Sequence, residues 1–284
     1  MAAAATLPAR DAMGPARMAG AFRLALHAEW TKFRTVASMP WLLAAMAVLT
    51  LAVGAAAAAA YGCTPGYCRP AQTAADPAKI ALTGLYVGQV LAAAAGVLVV
   101  GGEYGSGMIR VTLAAMPRRL DVLGAKAVVL TAGVLAAALI GVLGSVAAGR
   151  LLLPGRGLSA ANGYVALSLG NGTDLRAALG SVLYLGLIAL LALGIATAVR
   201  DSGAAIGVVL ALLFLFPIIT SVLPDHVLAR HLDQLAPMAA GFYVQATVAV
   251  KSLPLSPWQG LGVVALWALG ALLLGGAVLR LRDA

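Results

Sequence analysis

Apolar positions in this chain come in long unbroken runs rather than in stripes. Six runs reach the roughly 20 residues that an α-helix needs to cross a bilayer. They lie at about 41–61, 80–101, 123–149, 178–199, 203–223 and 258–279. None contains Asp or Glu, and the one basic residue inside any of them is Lys126. Its place near the start of the third run predicts an ammonium that snorkels to the interface. The pattern predicts an all-α polytopic membrane protein with six transmembrane helices.

The segment before the first run has a different rhythm. Phe22, Leu26, Trp30 and Phe33 recur at helical spacing, while Arg23, Glu29, Lys32 and Arg34 fall largely on other faces. This predicts a short amphipathic helix over 20–37 that lies in the membrane interface. Pro40 then opens the first span, near its first turn. Residues 1–19 are Ala-rich with little pattern and read as a disordered N-terminal tail. They hold no continuous apolar core before a cleavage site, so they do not read as a secretory signal. Residues 20–284 then form one six-helix domain.

The connections carry their own signals. The loop at about 62–79 is polar and Pro-rich, and the loop at about 150–177 holds the turn pairs Pro154-Gly155 and Asn171-Gly172. Only Arg200-Asp201-Ser202 joins the fourth and fifth spans, which predicts a tight antiparallel hairpin. Gly203 and Gly207 put small residues four apart on the fifth span, a spacing that permits close helix contact, and Pro217 predicts a kink there. The segment at about 224–257 is interrupted by Pro224, Pro237, Pro254 and Pro257. It reads as a partly re-entrant or surface-lying helical segment. Asp225, His226, His231 and Asp233 match no metal-binding spacing and read as solvated loop positions.

Composition narrows the class further. Charged residues are 10% and hydrophobic residues 62% of the 284, and the mean hydropathy is +0.98. A soluble domain carries about a quarter charged residues, so a soluble enzyme and a disordered chain are both excluded. The net charge of +9 is spread over the whole chain, which argues against a nucleic-acid partner. With the N-terminus placed in the cytoplasm, 12 of the 19 basic residues fall inside and 7 outside. The positive-inside rule then puts both termini in the cytoplasm of a multi-pass cell-membrane protein. Cys63 and Cys68 flank Thr64-Pro65-Gly66-Tyr67 in the first outer loop. The Pro-Gly turn can bring the sulfurs together where disulfides persist; the alternative is two unpaired thiols.

Catalytic chemistry is sparse. The chain has no GxxxxGK[ST] phosphate cradle, no HExxH, no GxSxG and no CxxC. No ionisable residue sits at the midplane of a span, which argues against a proton- or sodium-driven transporter. The expectation is a protein that is not an enzyme, holds no cofactor, and draws its energy from elsewhere.

The loop after the second span is the most informative. It reads Gly102-Glu103-Tyr104-Gly105-Ser106-Gly107-Met108-Ile109-Arg110 and continues through Leu113 to Pro117-Arg118-Arg119. A helix leaves the membrane at an acidic residue, a Gly-rich break follows, then an amphipathic stretch over about 108–115, then a Pro stop. This predicts a short helix along the cytoplasmic face that a partner can push.

The pattern Glu103-Tyr104-x-x-Gly107-x-Ile109-Arg110, with Leu113-x-x-x-Pro117-Arg118-Arg119 and Lys126, resembles the inner loop of type-2 ATP-binding-cassette exporter permeases. Residues 28–34, which include Glu29 and Lys32, are similar to the amphipathic helix before the first span in that family, and Arg282-Asp283 resembles its tail. Met108 stands where that family often has Thr. The resemblance implies a permease subunit that pairs with a second permease copy or homologue and docks on separate ATPase subunits. Glu29, Lys32, Glu103, Tyr104, Gly107, Arg110, Pro117, Arg118 and Arg119 would then couple ATP-driven closure to the spans. It further implies that Arg110, Arg118 and Arg119 pair with the ATPase surface and that Glu103 braces the loop against a cation such as Arg110. The apolar spans fit a hydrophobic or amphipathic cargo. Two alternatives stay open: a gradient-driven secondary transporter, and a membrane anchor that moves nothing.

Overall fold

The computed structural model describes residues 15–62, 75–115, 118–159, 162, 164–248, 250 and 253–281. Cys63, Cys68 and Pro117, like the 1–14 part of the expected tail, lie outside the described residues, as does the side chain of Arg110. Among the described residues the fold is helical throughout, with no strand.

Helix α1 spans Pro15–Thr35, so the helix expected from residue 20 begins five residues earlier. It is followed by α2 (Ser38–Ala60) and by α3 (Pro77–Gly105), which includes a 3-10 turn at Leu82–Gly84. A short α4 covers Met108–Ala115, the stretch the sequence marks as amphipathic. Then come α5 (Arg119–Leu152), α6 (Gly172–Val199) and α7 (Ser202–Val222). The segment between α7 and the last span folds into α8 (His226–Leu235) and α9 (Pro237–Phe242), and α10 (Pro257–Leu281) ends the description. Helices α2, α3, α5, α6, α7 and α10 are the six long and apolar enough to cross a membrane. They match the six apolar runs, because such a run satisfies its backbone internally only as a helix.

Helix α6 lies at the centre, packed on α10, α3, α5 and α7, and α2 closes the bundle against α5 and α3. The core gathers Leu85, Leu130, Val134, Tyr184, Leu185, Ile188, Leu191 and Leu193, all buried. Small residues set the closest crossing. A Cβ on Gly194 would meet the backbone of Ala271, and one on Gly275 would lie 2.6 Å from the Gly194 carbonyl oxygen. Here α6 and α10 touch backbone to backbone, which only glycine permits. Among the described residues, Gly203 and Gly207, the pair the sequence singles out, meet no neighbouring helix: Gly207 has open space around it. Helix α7 runs through Pro217 without ending.

Two caps fix the end of the bundle that carries the loops between spans one and two and between spans five and six. Asp76 accepts hydrogen bonds from the amides of Ala78 and Lys79 at the start of α3, and its carboxylate also takes the amide and hydroxyl of Thr247 and the amide of Val248. Asp225 caps α8 through the amides of Val227 and Leu228. Asp225 and His226 therefore open a helix rather than lie in a loop, as the sequence reading has them.

Candidate functional site

The opposite end of the bundle brings together α1, the last turn of α3, α4 and the first turns of α5. Four charged side chains meet there. Lys32 donates to Glu29 Oε1 at 3.0 Å, to Glu103 Oε1 at 2.8 Å and to Thr112 Oγ1 at 3.3 Å. Lys126 donates to Glu29 Oε2 at 2.8 Å, to Glu103 Oε1 at 2.7 Å and to the Val99 carbonyl at 3.4 Å. Two carboxylates and two ammoniums make the cluster neutral. Its members come from α1, α3 and α5, and Thr112 adds α4.

Local rules place each of them. Glu29 and Lys32 are three apart on α1, so they share a face, and the face they share turns toward α5. Glu103 stands in the last turn of α3, just before Gly107, whose φ of 72° ends the helix in a conformation that glycine adopts freely. Lys126 lies in the second turn of α5. Its side chain is 3% exposed, so it does not snorkel outward as expected. Two carboxylates on the protein side offer more than interfacial water does, and the ammonium turns inward to them.

The charge state of Lys32 follows from the same contacts. Burial favours the neutral amine, but the Glu103 and Glu29 carboxylates outweigh it and hold the ammonium above its ordinary 10.5. Each ammonium has three donors, and all six are used. Both oxygens of Glu29 accept, and Glu103 Oε1 accepts twice. Glu103 Oε2 is buried and accepts no hydrogen bond among the described residues.

The cluster forms one wall of a cavity of about 190 Å³. Apart from the exposed Ser106, the rest of the lining is apolar and includes Phe33, Met39, Leu98 and Val129, with Val36 and Met108 at the side. Val36 and Met108 are half exposed, so most of the rim is apolar too.

The remaining residues marked in the sequence separate into a second group. Arg119 Nη1 donates to the Leu279 carbonyl at 2.8 Å, and Arg200 Nη2 donates to the Val278 carbonyl at 3.2 Å. Both arginines thus cap the C-terminal end of α10, where unpaired carbonyls and the helix dipole attract cations. The Arg200 guanidinium also sits 5.8 Å from the centre of the Tyr104 ring. Arg119 is thus engaged within the chain through Nη1. Arg118 is half-buried at the N-terminal boundary of α5. The described partners of Glu103 are Lys32 and Lys126; the expected brace between Glu103 and Arg110 rests on a side chain outside the described residues.

Sequence reasoning placed Lys126 in the inner-loop pattern without its partners, and it did not single out Thr112 or Arg200. A signal for Lys126 existed: it is the one charge inside an otherwise uncharged span. Its partners lie 97 and 23 residues away, and no local pattern points to them. Among the described residues no three His, Cys, Asp or Glu side chains are grouped to hold a metal.

No protein-family model matches the chain, and no curated protein matches it at a significant level.

Proposed function

We propose that this chain is the membrane-spanning permease subunit of an ATP-binding-cassette exporter, with its ATPase in a separate protein. The observation that carries this reading is the buried cluster of Glu29, Lys32, Glu103 and Lys126. It ties α1 to the ends of two spans, and the Thr112 hydroxyl joins α4 to it through Lys32. A displacement of α1 is thereby passed to α3 and α5 as a rigid-body movement, because the cluster cannot be broken without leaving a charge buried and unpaired. The resemblance of the 103–119 loop to type-2 exporter permeases supports the same reading. So does the lack of any phosphate-binding loop in the chain.

On this reading the end that holds α1 and α4 faces the cytoplasm, the ATPase docks there, and a second permease copy or homologue completes the pathway. The cargo is a hydrophobic or amphipathic molecule that the apolar spans accommodate. A gradient-driven transporter is the second reading, favoured by carboxylates buried beside a cavity. Purification of the tagged chain from its native membrane in mild detergent separates the two. We expect an ATPase with a phosphate-binding loop at near one-to-one ratio, and transport that stops on ATP depletion. Purification without any ATPase, with transport that stops when the proton or sodium gradient is collapsed, would sink the exporter reading.

A further inference from the structure

Helix α1 carries charge that the ion-pair cluster does not use. An α-helix turns about 100° per residue, so Arg23, His27, Trp30 and Arg34 fall within an arc of about 60°. All four are exposed. Ala25, Glu29 and Lys32 lie on the opposite side, which turns to the bundle. Glu29 is engaged in the cluster, and among the described residues no carboxylate pairs with Arg23 or Arg34. The described company of Arg34 is the Trp30 ring, 5.9 Å from its guanidinium, and Trp30 in turn stacks on Phe33.

The packing of α1 sets the level of this stripe. The Phe22 ring lies against Gly124 and the Phe33 ring against Gly133. Helix α1 therefore runs beside the first turns of α5, from the start of its apolar run to a point about 15 Å along it. The cation-bearing face looks away from the bundle at that level, where the neighbour is the boundary between lipid headgroups and hydrocarbon. An exposed guanidinium there is costly unless an anion meets it. A soluble partner does not reach beside a span, whereas a lipid phosphate lies there already. Trp30 suits the same level, since an indole is at home among headgroups.

The charge balance narrows the headgroup. Arginine takes a phosphate with two parallel hydrogen bonds. A zwitterionic head also brings an ammonium, and this face has no carboxylate to receive it. A head with net negative charge leaves nothing unpaired. Arg23 and Arg34 are eleven residues apart, about 16 Å along the helix, so one phosphate cannot serve both.

We propose that the exposed face of α1 binds two anionic phospholipids, one at Arg23 and one at Arg34 beside Trp30. The inference stands on the six spans and the packing of α1, and it does not depend on the transport reading.

Native mass spectrometry of the delipidated full-length chain in a non-ionic detergent tests it, with phosphatidylglycerol and phosphatidylcholine of matched acyl chains as probes. Each arginine near an anionic surface contributes about fivefold. We expect two phosphatidylglycerol molecules per chain, with phosphatidylcholine bound at least about fivefold more weakly. Arg23→Gln with Arg34→Gln should weaken phosphatidylglycerol by at least about fivefold and leave phosphatidylcholine unchanged. Arg23→Lys with Arg34→Lys should keep the preference, because the charge is kept. Arg150→Gln with Arg156→Gln removes two exposed cations at the opposite end and should change nothing. Should the glutamine pair not fold, the two-lipid comparison on the unaltered chain and on the lysine pair decides. Equal binding of the two lipids overturns the proposal, as does full binding by the glutamine pair or a loss caused by the opposite-end pair. Displacement of the lipid by free glycerol phosphate overturns it too. A glutamine pair that keeps its lipids but loses a co-purifying ATPase would make the stripe a protein-docking surface instead.

Discussion

At the scale of single residues, the decisive feature is a lysine that faces inward. Lys126 holds Glu29 and Glu103 together, and its side chain is 3% exposed. Removal of one partner from a buried ion pair costs about 3–5 kcal/mol because the other charge is stranded. Lys126→Met should therefore lower the stability of the purified protein by about 3–5 kcal/mol, read as a shift in the denaturant midpoint. The double variant Lys126→Met with Glu103→Gln removes one charge of each sign and should recover part of that loss. Equal losses in both would mean that packing, not charge, holds this end. Lys32 adds a pH dependence with a definite sign. Its ammonium titrates above 10.5 in the fold, so its contribution is complete below the ordinary lysine value and is lost as pH rises through the raised one. Between pH 6 and about 9 stability should not respond to Lys32, and above about 10.5 it should fall; a thermal-melting series across that range checks both limbs. Little of this was legible from the residues in order. Glu29 and Lys32 announce themselves by their spacing, but the partners of Lys126 come from distant parts of the chain, and a lone lysine near a span end reads by default as an interfacial anchor.

At the scale of elements, the helices were the most legible part of the sequence. An apolar run of bilayer length has one low-energy conformation, so α2, α3, α5, α6, α7 and α10 fall where the runs fall. Helix α4 was equally legible, because Gly107 and the amphipathic stretch after it bracket Met108–Ala115. The contact between helices was not. With 33 glycines in the chain, a four-residue spacing recurs by chance, and Gly203 and Gly207 looked like a crossing point that the fold does not use. The crossing it does use pairs Gly194 with Gly275, one on each of α6 and α10. Gly194→Val drives a side chain into the α10 backbone, which cannot give way locally. It should cost at least the roughly 1–3 kcal/mol of an overpacked core and should lower the yield of folded protein on size exclusion. Gly207→Val, with open space around it, should leave the yield unchanged unless a second chain packs there.

At the scale of the whole molecule, six spans require that both ends of the described chain emerge on one side. Helices α1 and α4 and the C-terminal end of α10 all gather there, the last pinned by Arg119 and Arg200. Single cysteines at Ser106 and Arg280, in a chain with Cys63 and Cys68 replaced by Ser, should react with an impermeant maleimide from the same face of intact cells. A cysteine at Thr173 should react from the other. Labelling of Ser106 and Thr173 from one face would break the six-span arrangement. The charge count further expects the Ser106 face to be the cytoplasmic one. The sides were legible only through that count, since the helix pattern reads the same from either face.

The neutrality of the ion-pair cluster has an electrical consequence. Moving one elementary charge across a membrane potential of 100 mV takes about 2.3 kcal/mol. Glu29, Glu103, Lys32 and Lys126 move together if they move at all, because each lysine is hydrogen-bonded to both carboxylates. Their charges sum to zero, so the joint displacement does no work against the field. On the transport reading, these four side chains therefore add no voltage dependence of their own to a movement of this end.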